Sequence, residues 1–258
     1  MSIKSKVFAA AATLTLVGGT GAVGALTAGT ANAETPSCGG TCIEFFNHEF
    51  GDFSTMNFVL DTLKQGEKVG QPQILFRTSN GDPAEDYTVS DQGLVSDFNA
   101  AGLVSDALDL HYGGAGCEGT IIPGDTPPCA DPFPDLEAYE FEYSPYGVDS
   151  GLCAGVAATA TAGEKVTLQP CGVSGRTVWI IDSTDAVDDD YAPLINGSDN
   201  NFSQPFVLTY PTNAYPTDMP RPALTVANLT GFQGANGLPD PGTINDHQLW
   251  GQDSGVHT

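Results

Sequence analysis

The sequence predicts a mainly β protein, and three observations carry that expectation. Short runs of β-branched and aromatic residues recur along the chain, 31 Gly and 18 Pro punctuate it too often for long helices, and six cysteines offer cross-links. Phe, Tyr and Trp number 13, 8 and 2, which is enough bulky apolar surface to offset the entropy of ordering an acidic chain.

The chain opens on a segment with the pattern of an export leader. Lys4 and Lys6 give a positive start, Val7 to Val17 is uncharged and mostly apolar, and Ala31-Asn32-Ala33 fits the small-x-small site of a signal peptidase. Gly and Thr dilute the stretch from Gly18 to Thr30, and no later stretch reaches the ~20 apolar residues of a spanning helix. Residues 1–33 are therefore expected to be a signal peptide. Residues 34–258 are expected to be one β-rich, secreted, extracellular domain with no membrane anchor.

Two segments carry helical spacing. Phe53, Met56, Leu60 and Leu63 recur at helical intervals, with Asp52 or Ser54 as N-cap, and Phe98 to Leu110 has the pattern of a short amphipathic helix. The strands follow. Ile74-Leu75-Phe76 is short and apolar, and Tyr139-Glu140-Phe141-Glu142-Tyr143 alternates aromatic and acid, as a strand with one dry and one solvated face does. Lys165 to Gln169 alternates likewise, whereas Thr177 to Ile181 and Pro205 to Tyr210 suit strands buried on both sides, and Ala223 to Val226 completes the set. Turns are marked by Asn80-Gly81-Asp82-Pro83, Asn196-Gly197 and Asn236-Gly237. Cys117 to Pro134 and the acidic stretch Asp182 to Asn201 are expected to be loop insertions, since strand-like sequence resumes after each.

All six cysteines, Cys38, Cys42, Cys117, Cys129, Cys153 and Cys171, follow the expected cleavage site. An even number in an exported chain argues for disulfides. Proximity in sequence suggests Cys38–Cys42, Cys117–Cys129 and Cys153–Cys171. There is no CxxC, and the four histidines are scattered, so a cysteine metal site is not expected.

A formal charge of −24 repels phosphate backbones and anionic lipid, so nucleic acid and membrane surfaces are not expected partners. No cofactor is expected. Calcium is the ion that two acidic stretches would suit, Asp182 with Asp185, Asp188, Asp189 and Asp190, and Asn80 with Asp82 and Asp86, although neither has the EF-hand pattern.

Three segments share an order of apolar stretch, glycine-rich turn, second apolar stretch and closing aromatic. The middle one runs Gly151-Leu152-Cys153-Ala154-Gly155-Val156, then Gly163 to Cys171, then Thr177-Val178-Trp179. The third has Ala223-Leu224-Thr225-Val226 and closes on Gln248-Leu249-Trp250. The first has Val59-Leu60-Asp61, Gln73 to Phe76 and Glu85-Asp86-Tyr87. This pattern resembles the ricin-type β-trefoil family, whose lobes end in a Gln-x-Trp signature. The resemblance implies a β-trefoil-like fold in which two long loop insertions stretch lobes that usually need about 40 residues. A β-sandwich is the alternative.

In the resembling lectins an aspartate and an Asn-Gln pair grip sugar hydroxyls. Segment one keeps Asp61 but has Ala84 and Glu85 at the pair; segment two has Gly155 and Arg176-Thr177; segment three keeps Gln248 but Thr225 replaces the acid. Sugar recognition needs an aromatic face and a carboxylate or amide. Asp61, Gln73, Phe76 and Glu85 are the residues expected to supply them, toward an extracellular or cell-wall glycan.

The enzymatic alternative is a polysaccharide hydrolase using paired carboxylates, whose defining separation cannot be read from sequence. The other alternative is an envelope or inhibitor-like interaction module. Gly147-Val148-Asp149-Ser150-Gly151 has a serine-nucleophile look, but His48 and His111 lack fitting neighbours, and His48-Glu49 lacks the second histidine of a zinc motif. No catalytic residue is assigned.

Overall fold

The computed structural model describes residues 42–50, 58–76, 82–114, 135–181, 191–213, 216, 221–231 and 243–254. All of these fall within one compact unit, Thr35–Thr258. Twelve strands occur among them, and they group by fours. The first group is β1 (Ile43–Asn47), β2 (Val59–Thr62), β3 (Gln73–Phe76) and β4 (Tyr87–Leu94). The second is β5 (Glu137–Tyr143), β6 (Leu152–Val156), β7 (Val166–Pro170) and β8 (Val178–Ile181). The third is β9 (Leu194–Asn196), β10 (Phe206–Thr209), β11 (Thr225–Asn228) and β12 (Trp250–Ser254).

Each group repeats one set of antiparallel pairings. The first strand pairs with the fourth: Ile43 with Tyr87, Tyr139 with Trp179, and, just before β9, Ala192 with Trp250. The second and third strands form a hairpin in every group. Between groups, β4 pairs with β5, β8 with β9, and β12 with β1. Six strands thus close into a ring, β1-β4-β5-β8-β9-β12, which leaves no open edge. The three hairpins meet at one end of it. Leu168 N donates to Gln71 O, Val166 N to Leu224 O, and Leu224 N to Gln73 O. A six-stranded barrel capped by a triangle of hairpins is a β-trefoil, so the chain is mainly β with this architecture.

The core follows from the period-two alternation of the strands. Tyr139, Phe141 and Tyr143 of β5 point inward with Leu60, Leu75, Leu168, Trp179, Leu208 and Trp250. Phe45 and Phe141 rings lie 4.4 Å apart. Trp179 and Trp250 occupy equivalent places, and each indole Nε1 donates to a second-strand carbonyl, Ala154 O at 2.8 Å and Leu208 O at 2.9 Å. Burying such a ring while pairing its one donor stabilises the barrel by several kcal/mol, about 3–5 on truncation to alanine.

A second apolar cluster covers the outer face of the barrel. Two short helices, α1 (Val95–Ala100) and α2 (Asp106–Tyr112), bring Val95, Phe98, Leu108 and Tyr112 against Ala138, Val178, Ile180 and Ile195. The expected single helix from Phe98 to Leu110 is therefore split. Gly102 takes a left-handed φ of 79°, and Ser105 starts α2 by accepting from Leu108 N at 3.2 Å.

Other expectations are corrected. Leu60 lies in β2 and Leu63 in the following 3-10 turn, so neither is helical; Leu60 packs inward by strand alternation, and Phe53 and Met56 lie outside the described residues. The expected loop Asp182 to Asn201 contains β9, because Ile195 is needed to seal the outer cluster; residues 182–190 lie outside the described residues. Glu140 and Glu142 share the face opposite the aromatics, as expected, but that face is buried rather than solvated. The turns flanking the second hairpin cover it, and their amides need acceptors: Gly172 N donates to Glu140, and Gly151 N to Glu142 at 2.5 Å.

Cys153 and Cys171 are bridged, with an S–S distance of 2.04 Å, across the ends of the β6–β7 hairpin. Cys42 is also disulfide-bonded. Cys38, Cys117 and Cys129 lie outside the described residues, as does the expected leader. No described helix is long and apolar enough to cross a membrane.

Candidate functional site

The β2–β3 register decides which side chains of the first lobe reach the surface. Asp61 stands opposite Ile74 and Val59 opposite Phe76, so these four share one face, while Leu60, Thr62, Gln73 and Leu75 share the other. Asp61, Ile74 and Phe76 line a pocket of about 340 Å³. Asp82, Ala84 and Arg221 complete the part that bears on its chemistry.

The far wall is the 3-10 turn Pro83–Glu85. Asp82 caps it, its Oδ1 accepting from Ala84 N at 3.0 Å and from Gln65 Nε2 at 3.0 Å, and Pro83 pre-sets φ at the first helical position. The rim beside Gln65 is strained, since Lys64 and Gln65 both hold φ values in the left-handed region, 60° and 53°. The Arg221 guanidinium carbon lies 4.0 Å from the centre of the Phe76 ring, a cation–π contact that sets a positive charge at the mouth.

Three carboxylates converge here, Asp61 and Asp82 in the pocket's lining and the fully buried Glu85 beside them. One oxygen each from Asp61, Asp82 and Glu85 lie within 4.8 Å of one another. Asp61 is 4 % exposed. Burial pushes its carboxyl up to about 7, and the Asp82 charge adds to the shift while Arg221 opposes it. A carboxyl poised near neutrality accepts hydrogen bonds when ionised and donates one when protonated, which suits hydroxyl-bearing ligands.

Of the four residues expected at a sugar site, the structure brings Asp61, Phe76 and Glu85 together and turns Gln73 away. Gln73 is fully buried on the inner face, where its Oε1 accepts from Tyr87 OH and from Thr62 Oγ1 at 3.4 Å. Thr62 and Tyr87 hydroxyls in turn lie 2.9 Å apart. This polar knot fills the place that Val156 with Val166, and Tyr210 with Leu224, fill with apolar groups in the other lobes. Of the expected calcium stretches, Asp82 faces the pocket. Asp86 accepts from Tyr146 N at 2.8 Å, and Asn80 and Asp182 to Asp190 lie outside the described residues. Arg221 carried no signal in the sequence, because it enters from the chain before β11.

The barrel's threefold repeat identifies the corresponding sites. In the third lobe the place of Asp61 is taken by Thr209, not by Thr225, which stands where Ile74 does. A pocket of about 380 Å³ opens there, lined by Thr209, Thr225, Asn228, Asn245, His247 and Gln248, with no carboxylate among its lining residues. Gln248 is spent on architecture: Nε2 donates to Asn228 O and Thr209 Oγ1, and Oε1 accepts from Thr230 N and Oγ1. In the second lobe the position is Gly155, where a Cβ would meet Arg176 O at 2.5 Å, so the turn lies directly on the strand. The first lobe therefore has acids in its pocket, the third is neutral, and the second is filled.

No protein-family model matches the chain, and no curated protein matches it significantly. Among solved structures it is similar to a designed threefold-symmetric protein, ThreeFoil, with 13 % identity, a TM-score of 0.47, and coverage of 82 % of this chain and 97 % of that one. It is also similar to an SDF2-like protein from Arabidopsis thaliana, with 9 % identity, a TM-score of 0.38, and coverage of 85 % and 95 %. A Caenorhabditis elegans protein of unknown function shares 8 % identity at a TM-score of 0.39, covering 88 % and 99 %.

Proposed function

We propose that this is an exported, disulfide-stabilised binding module whose first-lobe pocket takes a neutral extracellular or cell-wall glycan. The observation that carries the reading is the Asp61 carboxyl, buried beside Asp82, Phe76 and Arg221 in a pocket open to solvent. Carboxylate and guanidinium together offer acceptors and donors to vicinal hydroxyls, and Phe76 and Ile74 offer apolar surface to a ring's C–H face. The charge of −24 disfavours sulfated or uronic polymers. Export rests on the leader pattern of residues 1–33 and agrees with the bridged Cys153–Cys171 pair.

The test is a glycan array probed with labelled protein, alongside the Asp61→Ala variant. Binding of neutral glycans that the variant loses supports the reading; silence, or binding that persists in the variant, overturns it.

Hydrolysis of polysaccharide is the second reading, and a specific observation favours it. A carboxyl held near 7 stands within 4.8 Å of other carboxylates, the kind of pairing in which one acid donates a proton and its neighbour stays ionised. Reducing sugar released from cell-wall polysaccharide by the native protein, and not by Asp61→Asn, decides for it.

A further inference from the structure

We propose that Asp61, Asp82 and Glu85 are ligands of a divalent cation, calcium by their chemistry, at the inner end of the first-lobe pocket. The first observation is geometric. Calcium holds oxygen ligands at about 2.3–2.6 Å, so two oxygens on opposite sides of one ion are about 5 Å apart. The three carboxylate oxygens, mutually within 4.8 Å, fit around a single ion.

The second observation is the state of Asp61. It is more than nine-tenths buried, it is aimed into the pocket, and among the described residues its carboxylate accepts no hydrogen bond. A buried carboxylate without donors is costly, and a bound cation removes that cost. Arg221 does so only in part: its charge favours the ionised form, but its guanidinium lies over Phe76 and makes no ion pair among the described residues. Asp82 is already oriented, because Ala84 N and Gln65 Nε2 hold its Oδ1.

The donor set selects the ion. All three ligands are hard oxygens with no nitrogen or sulfur, which suits calcium or magnesium over zinc. The pocket's opening lets water supply the remaining ligands at loose angles, which calcium accepts and magnesium does not. The cation is assigned to the pocket without any sugar, so it stands or falls separately from the glycan reading.

The test is calorimetric titration of calcium chloride alone into chelator-treated full-length protein, in about 0.15 M salt to screen diffuse binding to the acidic surface. One saturable site per chain is expected, with a Kd of about 0.1–1 mM, the range of extracellular calcium modules. Asp61→Asn and Glu85→Gln, shown by circular dichroism to be folded, should each weaken it tenfold or more. Asp91→Asn, on exposed β4 surface, should leave it unchanged. Absence of a saturable site up to about 10 mM, ten times the expected Kd, overturns the proposal. So does a folded Asp61→Asn variant that binds as the native protein does.

Discussion

Glu140 receives the Gly172 amide on both carboxylate oxygens, at 3.0 and 2.9 Å, and thereby ties the turn behind the Cys153–Cys171 bridge to the barrel wall. The same carboxylate accepts from Thr177 Oγ1 in the 3-10 turn that precedes Trp179. One buried side chain therefore fixes two turns of the second lobe. Glu140→Ala would leave the Gly172 amide without its acceptor and the Thr177 hydroxyl with only the Ser174 carbonyl, at 3.2 Å. A loss of about 2–4 kcal/mol is expected, since the lost bonds are charge-assisted and buried. Urea unfolding should show it as a lower midpoint at unchanged slope.

The bridge itself closes a loop with a sequence separation of 18. Replacing Cys153 and Cys171 with serine is expected to cost about 3 kcal/mol, mainly by freeing the unfolded chain. Thermal unfolding of the double variant, with and without reductant, checks this: reductant should lower the native midpoint and have a smaller effect on the variant's.

Asp61 makes stability depend on pH in an unusual direction. Unfolded, it loses its proton near 3.8; folded, it keeps it up to about 7. Between those values the folded state binds the extra proton, so this group's contribution falls as pH rises through the window. The penalty is absent below about pH 4 and complete above about pH 7, where it is of the order of 2–4 kcal/mol. Asp61→Asn should therefore stabilise the protein at pH 8 and have little effect at pH 4. Unfolding in the presence of chelator at both values measures it; equal shifts at both would refute the assignment.

Gly155 is the closed counterpart of that site. Gly155→Ala drives a Cβ onto the Arg176 carbonyl and Thr177, backbone that cannot swing aside. A loss of about 1–3 kcal/mol is expected in equilibrium unfolding.

Much of the architecture is legible in the sequence. The aromatic alternation of Tyr139 to Tyr143 and the paired positions of Trp179 and Trp250 located two lobes, because inward aromatics are what a small barrel requires. β9 was not legible, since three residues give alternation too little length to register, and β2 was masked by apolar spacing that also fits a helix. The acid face of β5 misled because sequence shows that a side chain is polar but not which amides will cover it. At the candidate site the sequence points to Asp61, Phe76 and Glu85, which the fold does bring together, and groups Gln73 with them. Only the register Asp61–Ile74 shows that Gln73 lies on the opposite face. Arg221 joins the pocket through a contact between distant segments, which leaves no local mark, and Asp82 stands out in the sequence only as one of an acidic stretch.

The ring is completed where β1 meets β12, with Ile43 opposite Ser254 and Asn47 opposite Trp250. A growing polypeptide cannot zip this seam until its twelfth strand has left the ribosome, and until then β1 offers a bare edge. Closure of the barrel is thus deferred until both of these remote stretches are present, and native contacts between them make slow folding the expected consequence.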